Sequence, residues 1–179
     1  MSNIQLDYSD IMDIFKEKLK IDNIVKKVSS IFLNQRYAGK INYKPYFQRN
    51  YVWDEEKATY FIESILLGTE IPPLVLFQTK DKNEVIDGRQ RYETIKRFLE
   101  DKLVLKDKGL HNLKALAGKR YSQLDSDTRE LFEDTRIRIL QFSVVDEPKL
   151  DEEKEEKIKK EIFRRYNSGI TPLQKYDID

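Results

Sequence analysis

The chain has 179 residues, of which 39% are hydrophobic and 36% charged, and its formal net charge is +1. The length and composition predict one globular domain with a small core and a densely charged surface. A net charge so close to zero does not indicate nucleic-acid binding by the chain as a whole. Cysteine is absent and His111 is the single histidine, which excludes cysteine nucleophiles, disulfide frameworks, sulfur-ligated zinc and histidine-rich metal clusters. No apolar run approaches the roughly 20 residues that span a bilayer, and the first residues lack a signal-peptide profile, so we expect a cytoplasmic protein without a membrane partner.

The first 35 residues carry apolar side chains at helical spacing, in one series behind Ser9 and a second behind Asp22. The apolar positions are Ile11, Ile14, Phe15, Leu19, Ile24, Val28, Ile31 and Phe32. The pattern predicts an N-terminal helical extension over residues 1–36, followed by a domain over residues 37–179.

The middle of the chain alternates between short strand-like and helical patterns. A short strand at residue 39 leads into an aromatic-rich loop, and helical spacing returns from Asp54 and closes at Gly68. LVLFQT at 74–79 and EVID at 84–87 predict two adjacent strands, and helical spacing resumes directly afterwards, from Tyr92. Asp87 and Gly88 therefore lie where a strand passes into a helix.

The last third is less regular. LVL at 103–105 predicts a short strand, residues 106–124 an irregular segment, and residues 126–134 a short helix capped by Ser126 or Asp127. Residues 136–145 alternate as the longest strand, and the mixed charges of 146–161 indicate a solvated face of a helix that stops at 167–169. Strong helix-start signals at 171–174 lead us to expect that the chain is part of a longer protein.

The Asp87–Gly88 junction is the first candidate for chemistry. A glycine turn lets a phosphate approach the backbone, and the free N–H groups of the first helical turn supply donors with a favourable dipole. Arg89 and Arg91 could grip phosphate oxygens, while Asp87 could orient an arginine, hold a water or help place Mg²⁺. The alternative is that Asp87 only caps the helix and both arginines are solvated.

Two other segments contain arginines that could either bind a nucleotide or have a purely structural role. Gln48 and Arg49 lie among aromatic side chains that could form a base-stacking pocket or could simply pack in the core. Arg164 and Arg165 precede a turn at Asn167 and could close a triphosphate site or complement a helix C-terminus.

Four segments together resemble a known family. They read YFQRNYVW at 46–53, FIESILLGTEIPPLVLF at 61–77, VIDGRQRYETI at 85–95 and FRRYNSGITPLQKYDI at 163–178. Their order and spacing are similar to the N-terminal domain of GmrSD-type restriction proteins, whose hallmark is an Asp-Gly-Gln-Gln-Arg motif. The resemblance covers roughly residues 22–179 and is weak over 103–122. It implies a ParB/sulfiredoxin-like fold, a small mixed α/β sheet flanked by helices.

The resemblance also implies a function. Members of the family bind and hydrolyse nucleoside triphosphates at the motif and thereby regulate a DNA-cleaving second domain that acts against phage DNA, often modified DNA. The motif positions here are Asp87, Gly88, Gln90 and Arg91, with Asp87 and Arg91 as the catalytic candidates, and Gln48 and Arg49 fall in the earlier signature. By the same resemblance Arg164 and Asn167 join the nucleotide-binding candidates, with a nucleoside triphosphate and Mg²⁺ as cofactors and no metal site in the protein itself.

This sequence departs from the motif at two positions. Arg89 replaces a glutamine that could position water, which favours phosphate binding over hydrolysis, and Tyr92 stands where leucine is usual. Nothing resembles the His-Asn-His nuclease domain, so DNA would be reached through a downstream domain or a partner subunit; the oligomeric state is left open. The alternatives are a ParB-like DNA-binding module that uses the same arginines, or a protein-interaction domain with a vestigial nucleotide site.

Overall fold

A computed structural model describes Ser9 and residues 12–44, 50–145 and 151–168 of the chain, with the side chains of residues 167 and 168 left aside. Gln48 and Arg49, and the helix predicted to start at 171–174, lie outside the described residues. Among the described helices, none has the length and apolar character to cross a membrane.

A five-stranded mixed sheet forms the centre of the fold. Its strands are β1 (Leu19–Lys27), β2 (Ile41–Asn42), β3 (Leu74–Gln78), β4 (Asn83–Asp87) and β5 (Arg136–Val144), in the order β1-β5-β3-β4-β2. Strands β1 and β5, and β3 and β4, pair antiparallel, whereas β3 and β5, and β2 and β4, pair parallel. Helices pack on this sheet, so the predicted mixed sheet flanked by helices is confirmed.

Five α-helices accompany the sheet. They are α1 (Gln35–Ala38), α2 (Glu55–Leu66), α3 (Arg89–Leu99), α4 (Ser126–Asp134) and α5 (Glu152–Ser168), within the part of the chain that the structure describes. The predicted start of α2 is confirmed, because the Asp54 side chain accepts a hydrogen bond from the backbone N–H of Lys57 at 2.8 Å. Helix α4 is capped by Asp125, which accepts from the N–H of Thr128, so the caps predicted at Ser126 or Asp127 are wrong by one or two residues.

The centre of the sheet is buried on both faces. Successive side chains of a strand point to opposite faces, and Leu76 accordingly packs in a first apolar cluster with α2, α3 and α4, whereas Phe77 packs in a second cluster with α5. The central strand β3 therefore reads as a nearly continuous apolar run, and β4 buries Val85 and Ile86 on opposite faces. This arrangement places α3, and the turn before it, on the face of the first cluster.

The helix predicted from Asp22 to Phe32 is wrong over its first half. Residues Leu19–Lys27 form β1, which pairs along its whole length with β5, and helical turns of the wider π type occupy only Asp13–Lys18 and Ser29–Leu33. The first of these segments falls within the helix predicted at 9–19. Strand β1 is nine residues long, as is β5, so the predicted strand at 136–145 is confirmed and shares its length with β1. The division of the chain at residue 36 stays a prediction, although β1 belongs to the same sheet as the later strands.

The strand predicted at 103–105 is also wrong. Leu103 and Leu105 are buried, but Leu105 exchanges only two backbone hydrogen bonds, with Gly118 and Lys119, and no ladder continues from them. The irregular segment predicted after it is confirmed: it consists of short turns at Asp107–Gly109, Lys114–Leu116 and Tyr121–Gln123.

Candidate functional site

The turn between β4 and α3 has a backbone that requires glycine. Gly88 adopts a φ of 92°, in the left-handed region, and stands at the N-cap of α3. A Cβ atom at this position would lie 2.7 Å from Leu74 Cδ2 and 2.8 Å from Arg91 Nη2. The glycine therefore permits both the conformation and the close approach of the Arg91 guanidinium; the predicted strand-to-helix junction is confirmed, and the approach of a phosphate to this turn stays a prediction.

Arg91 is folded back over this turn. Its Nη2 donates to Asp87 Oδ2 at 3.2 Å and to the carbonyl oxygen of Pro73 at 3.1 Å, and the residue is 8% exposed. Burial raises the pKa of the Asp87 carboxyl above its usual range, although the positive charge of Arg91 and the hydrogen bonds from Arg91 and the Gly88 N–H oppose that rise. The predicted pairing of Asp87 with an arginine is thus present.

Arg89 is also buried, at 4% exposure, and not solvated as the alternative interpretation had it. Its Nη2 lies 3.5 Å from Glu93 Oε2, and the other oxygen of Glu93 accepts from Arg97 Nη2 at 3.0 Å and Nε at 3.3 Å. The three residues follow one another at intervals of four along α3, which puts them on one side of the helix. The sequence reasoning missed Glu93 and Arg97, although their spacing from Arg89 was visible.

Gln90 has a different environment from its two neighbours. It is fully buried, its Oε1 accepts from the N–H groups of Val52 at 2.9 Å and Trp53 at 3.3 Å, and its Nε2 donates to the carbonyl of Asn50 at 3.1 Å. The side chain is thus occupied by the backbone of residues 50–53.

The structure brings Asp87, Gly88 and Arg91 into contact at one turn, whereas the neighbouring Arg89 faces Glu93 on another side of α3. Arg164 lies on α5, whose apolar side chains belong to the second cluster; it is exposed and forms a two-bond ion pair with Glu161 at 2.7 and 3.1 Å. Asn167 lies in the last turn of α5, and its side chain is outside the described part. The contribution of Arg164 and Asn167 to a phosphate site stays a prediction.

A cleft of about 840 Å³ lies farther along α3, beside the start of α2. Tyr51 and Trp53 line it together with Arg97 and with Lys102 and Lys106 from the segment after α3. The Arg97 guanidinium stacks on the Tyr51 ring at 4.1 Å, and the Tyr51 hydroxyl lies 2.9 Å from Thr94 Oγ1. Within residues 12–44, 50–145 and 151–168, no group of three His, Asp or Glu side chains is placed to hold a metal ion.

The described part is thus a mixed α/β domain whose most specialised feature is a glycine turn flanked by two buried arginines. Comparison with family models gives the particular assignment: residues 28–178 match the N-terminal domain of the GmrSD restriction endonuclease. The match spans most of the chain, so the chain belongs to this family, and it is a domain of a restriction system. Comparisons with curated proteins and with solved structures found no match.

Proposed function

We propose that this domain binds a nucleoside triphosphate at the Asp87–Gly88 turn and regulates a restriction activity through that binding. The observation that carries the proposal is the burial of Arg89 and Arg91 in the first turn of α3, directly after a glycine with a φ of 92°. Arginines are costly to bury, and two of them in the first turn of a helix, at the positive end of its dipole, suit an anion with several oxygens. Family membership supplies the restriction context.

Each residue of the turn has a distinct role in this proposal. Gly88 provides the left-handed turn against which the Arg91 guanidinium packs, and Arg91 and Arg89 donate to phosphate oxygens in place of the carboxylates that now face them. Asp87, released from Arg91, remains beside the phosphates and is placed to hold the Mg²⁺ that accompanies a triphosphate. Arg89 stands where the family motif has glutamine, so we expect binding to persist and hydrolysis to be slow.

Thermal unfolding with Mg-ATP and with Mg-GTP tests the proposal. A triphosphate present at about 100 times its Kd adds about 2.7 kcal/mol of stability, which corresponds to a shift of roughly 5–11 °C for a domain of this size. We expect Arg91→Gln to remove the shift, the exposed control Arg136→Gln to keep it, and Arg89→Gln, which restores the family motif, to bind and to hydrolyse faster.

Three outcomes would change the assignment. Sites of this kind are filled at concentrations up to about 1 mM. The turn is therefore not a triphosphate site if Mg-ATP and Mg-GTP at about 1 mM leave the melting temperature of the wild type unchanged. A full shift in Arg91→Gln would place the nucleotide elsewhere. A DNA complex that weakens steeply with salt, with no nucleotide effect, would favour a DNA-binding module, and failure of both assays would leave a protein-interaction domain.

A further inference from the structure

Gln90 belongs to the motif at the turn, but its side chain serves another segment. Both acceptor positions of Oε1 are used by the N–H groups of Val52 and Trp53, and Nε2 donates to the carbonyl of Asn50. The residue is fully buried, so a phosphate oxygen could reach this amide only by displacing the segment. A glutamine with these partners behaves as a fixed anchor for backbone that has no ladder of its own.

The same segment is held to α3 at two further places. The Tyr51 hydroxyl contacts Thr94, and the Tyr51 ring lies under the Arg97 guanidinium. Positions 90, 94 and 97 follow at intervals of four and three, so they form one stripe along the helix. The stripe leads from the turn to the cleft that Tyr51 and Trp53 line.

We infer that Gln90 is a positioning residue that ties residues 50–53 to the phosphate-binding turn, and that it transmits occupancy of the turn to the cleft without contacting the nucleotide. The claim that occupancy of the turn is transmitted to the cleft rests on the proposed function. The claim that Gln90 positions residues 50–53 does not. Gln90 and its ligand-binding neighbours Arg89 and Arg91 share one helical turn, so a movement of that turn displaces the anchor of Val52 and Trp53 directly. Arg97 adds a second connection, because it shares the carboxylate of Glu93 with Arg89.

The ligand-free protein gives the first test. Gln90→Met keeps the volume of the side chain and removes its hydrogen bonds, so we expect the amide protons of Val52 and Trp53 to exchange at least about tenfold faster by NMR. Gln90→Glu keeps an acceptor for both amides but replaces the Nε2 donor to the Asn50 carbonyl with an acceptor oxygen, so both amides should exchange faster than in the wild type and more slowly than in Gln90→Met. Thr94→Val, the control on the same stripe, removes the hydroxyl contacts with Tyr51 and with the Gln90 backbone carbonyl but leaves the Gln90 side chain in place, and should leave both amides near wild type.

Nucleotide titration gives the second test, read by the fluorescence of Trp53, the single tryptophan of the chain. In the wild type, Mg-ATP or Mg-GTP should change the Trp53 emission. In Gln90→Met the nucleotide should still bind, to within about tenfold of the wild-type affinity, but the emission should no longer respond. Arg91→Gln should lose nucleotide binding while the Val52 and Trp53 amides stay protected.

These results separate the two claims. Unchanged amide exchange in Gln90→Met would overturn the positioning role, and if the methionine variant does not fold, exchange in Gln90→Glu as slow as in the wild type would overturn it instead. Loss of binding in Gln90→Met as complete as in Arg91→Gln, with protected amides, would make Gln90 a ligand. If no nucleotide binds the wild type, the proposed function and the transmission fail together, and the amide exchange still decides whether Gln90 positions the segment.

Discussion

The carboxylate of Glu63 is enclosed by backbone N–H groups, and its replacement by glutamine tests what holds residues 106–124 against α2. Glu63 is 1% exposed, and it accepts from the N–H groups of His111 at 2.9 Å, Asn112 at 2.7 Å and Leu113 at 2.7 Å. Hydrogen bonds to a charged group contribute about 1.5–3 kcal/mol each. Three such donors on one carboxylate make this the strongest link between the irregular segment and the helix.

Glu63→Gln retains one acceptor oxygen and turns an NH₂ group towards the remaining donors. We expect a loss of about 2–4 kcal/mol in the free energy of unfolding at pH 7, because at least one backbone N–H is left without an acceptor. For a domain of this size the melting temperature should fall by roughly 4–16 °C. Glu130→Gln, an exposed glutamate in the middle of α4, is the matched control and should change stability by less than about 0.5 kcal/mol.

The pH dependence of this loss checks its cause. Burial raises the pKa of the Glu63 carboxyl, but the hydrogen bonds from His111, Leu113 and Asn112 outweigh burial and hold the pKa below the ordinary value of 4.5. A lowered pKa in the folded state means that the stabilisation is fully present above the ordinary value and is lost as pH falls through the lowered one. Urea unfolding at several pH values should therefore show the gap between wild type and Glu63→Gln narrowing in acid. A gap below about 0.5 kcal/mol at pH 7, or one that does not narrow, would refute the reasoning.

Two further substitutions test the frame around the site. Gly88→Ala forces a left-handed backbone on alanine and puts its Cβ 2.8 Å from Arg91 Nη2, so we expect a loss of about 1–3 kcal/mol in urea unfolding and weaker nucleotide binding; wild-type values for both would show that the turn is not constrained in this way. Lys159→Met leaves Glu84 without the partner that now lies 2.9 Å away, and should cost about 1–3 kcal/mol at pH 7, whereas the exposed control Lys160→Met should be nearly neutral.

Local pattern was enough to predict the elements that present the turn. Strands β3 and β4 and helix α3 follow from an apolar run, an Asp-Gly pair and helical spacing within some 25 residues, and all three are confirmed. Strand β1 was not predictable in this way, because Ile24, Val28 and Ile31 also fit a helix and the partner strand lies more than 100 residues later. Tertiary pairing decided between two local patterns that the sequence satisfied equally.

In the candidate site, too, the features set by local sequence were predictable and those set by distant contacts were not. Gly88 and the two arginines were found from their motif, because a turn needs particular residues at fixed positions. The partners of Gln90 lie 37–40 residues away and those of Glu63 lie 48–50 residues away, and no spacing in the sequence indicates them. A motif therefore identified which residues matter, but not which of them contact the ligand and which hold the fold around it.

The burial of Arg89 and Arg91 explains why the turn also contains carboxylates. A buried guanidinium without a counter-charge is strongly unfavourable, and Asp87 and Glu93 supply that charge when no phosphate is present. The contact of Arg89 with Glu93 is long, at 3.5 Å, and Glu93 is also held by Arg97, so Arg89 can change partner without leaving Glu93 unpaired. A phosphate group offers three oxygens and more negative charge than either carboxylate, and on these terms it would displace them from both arginines. In the proposed function the carboxylates keep the arginines in place before a phosphate binds, and the length of the Arg89–Glu93 contact favours the exchange.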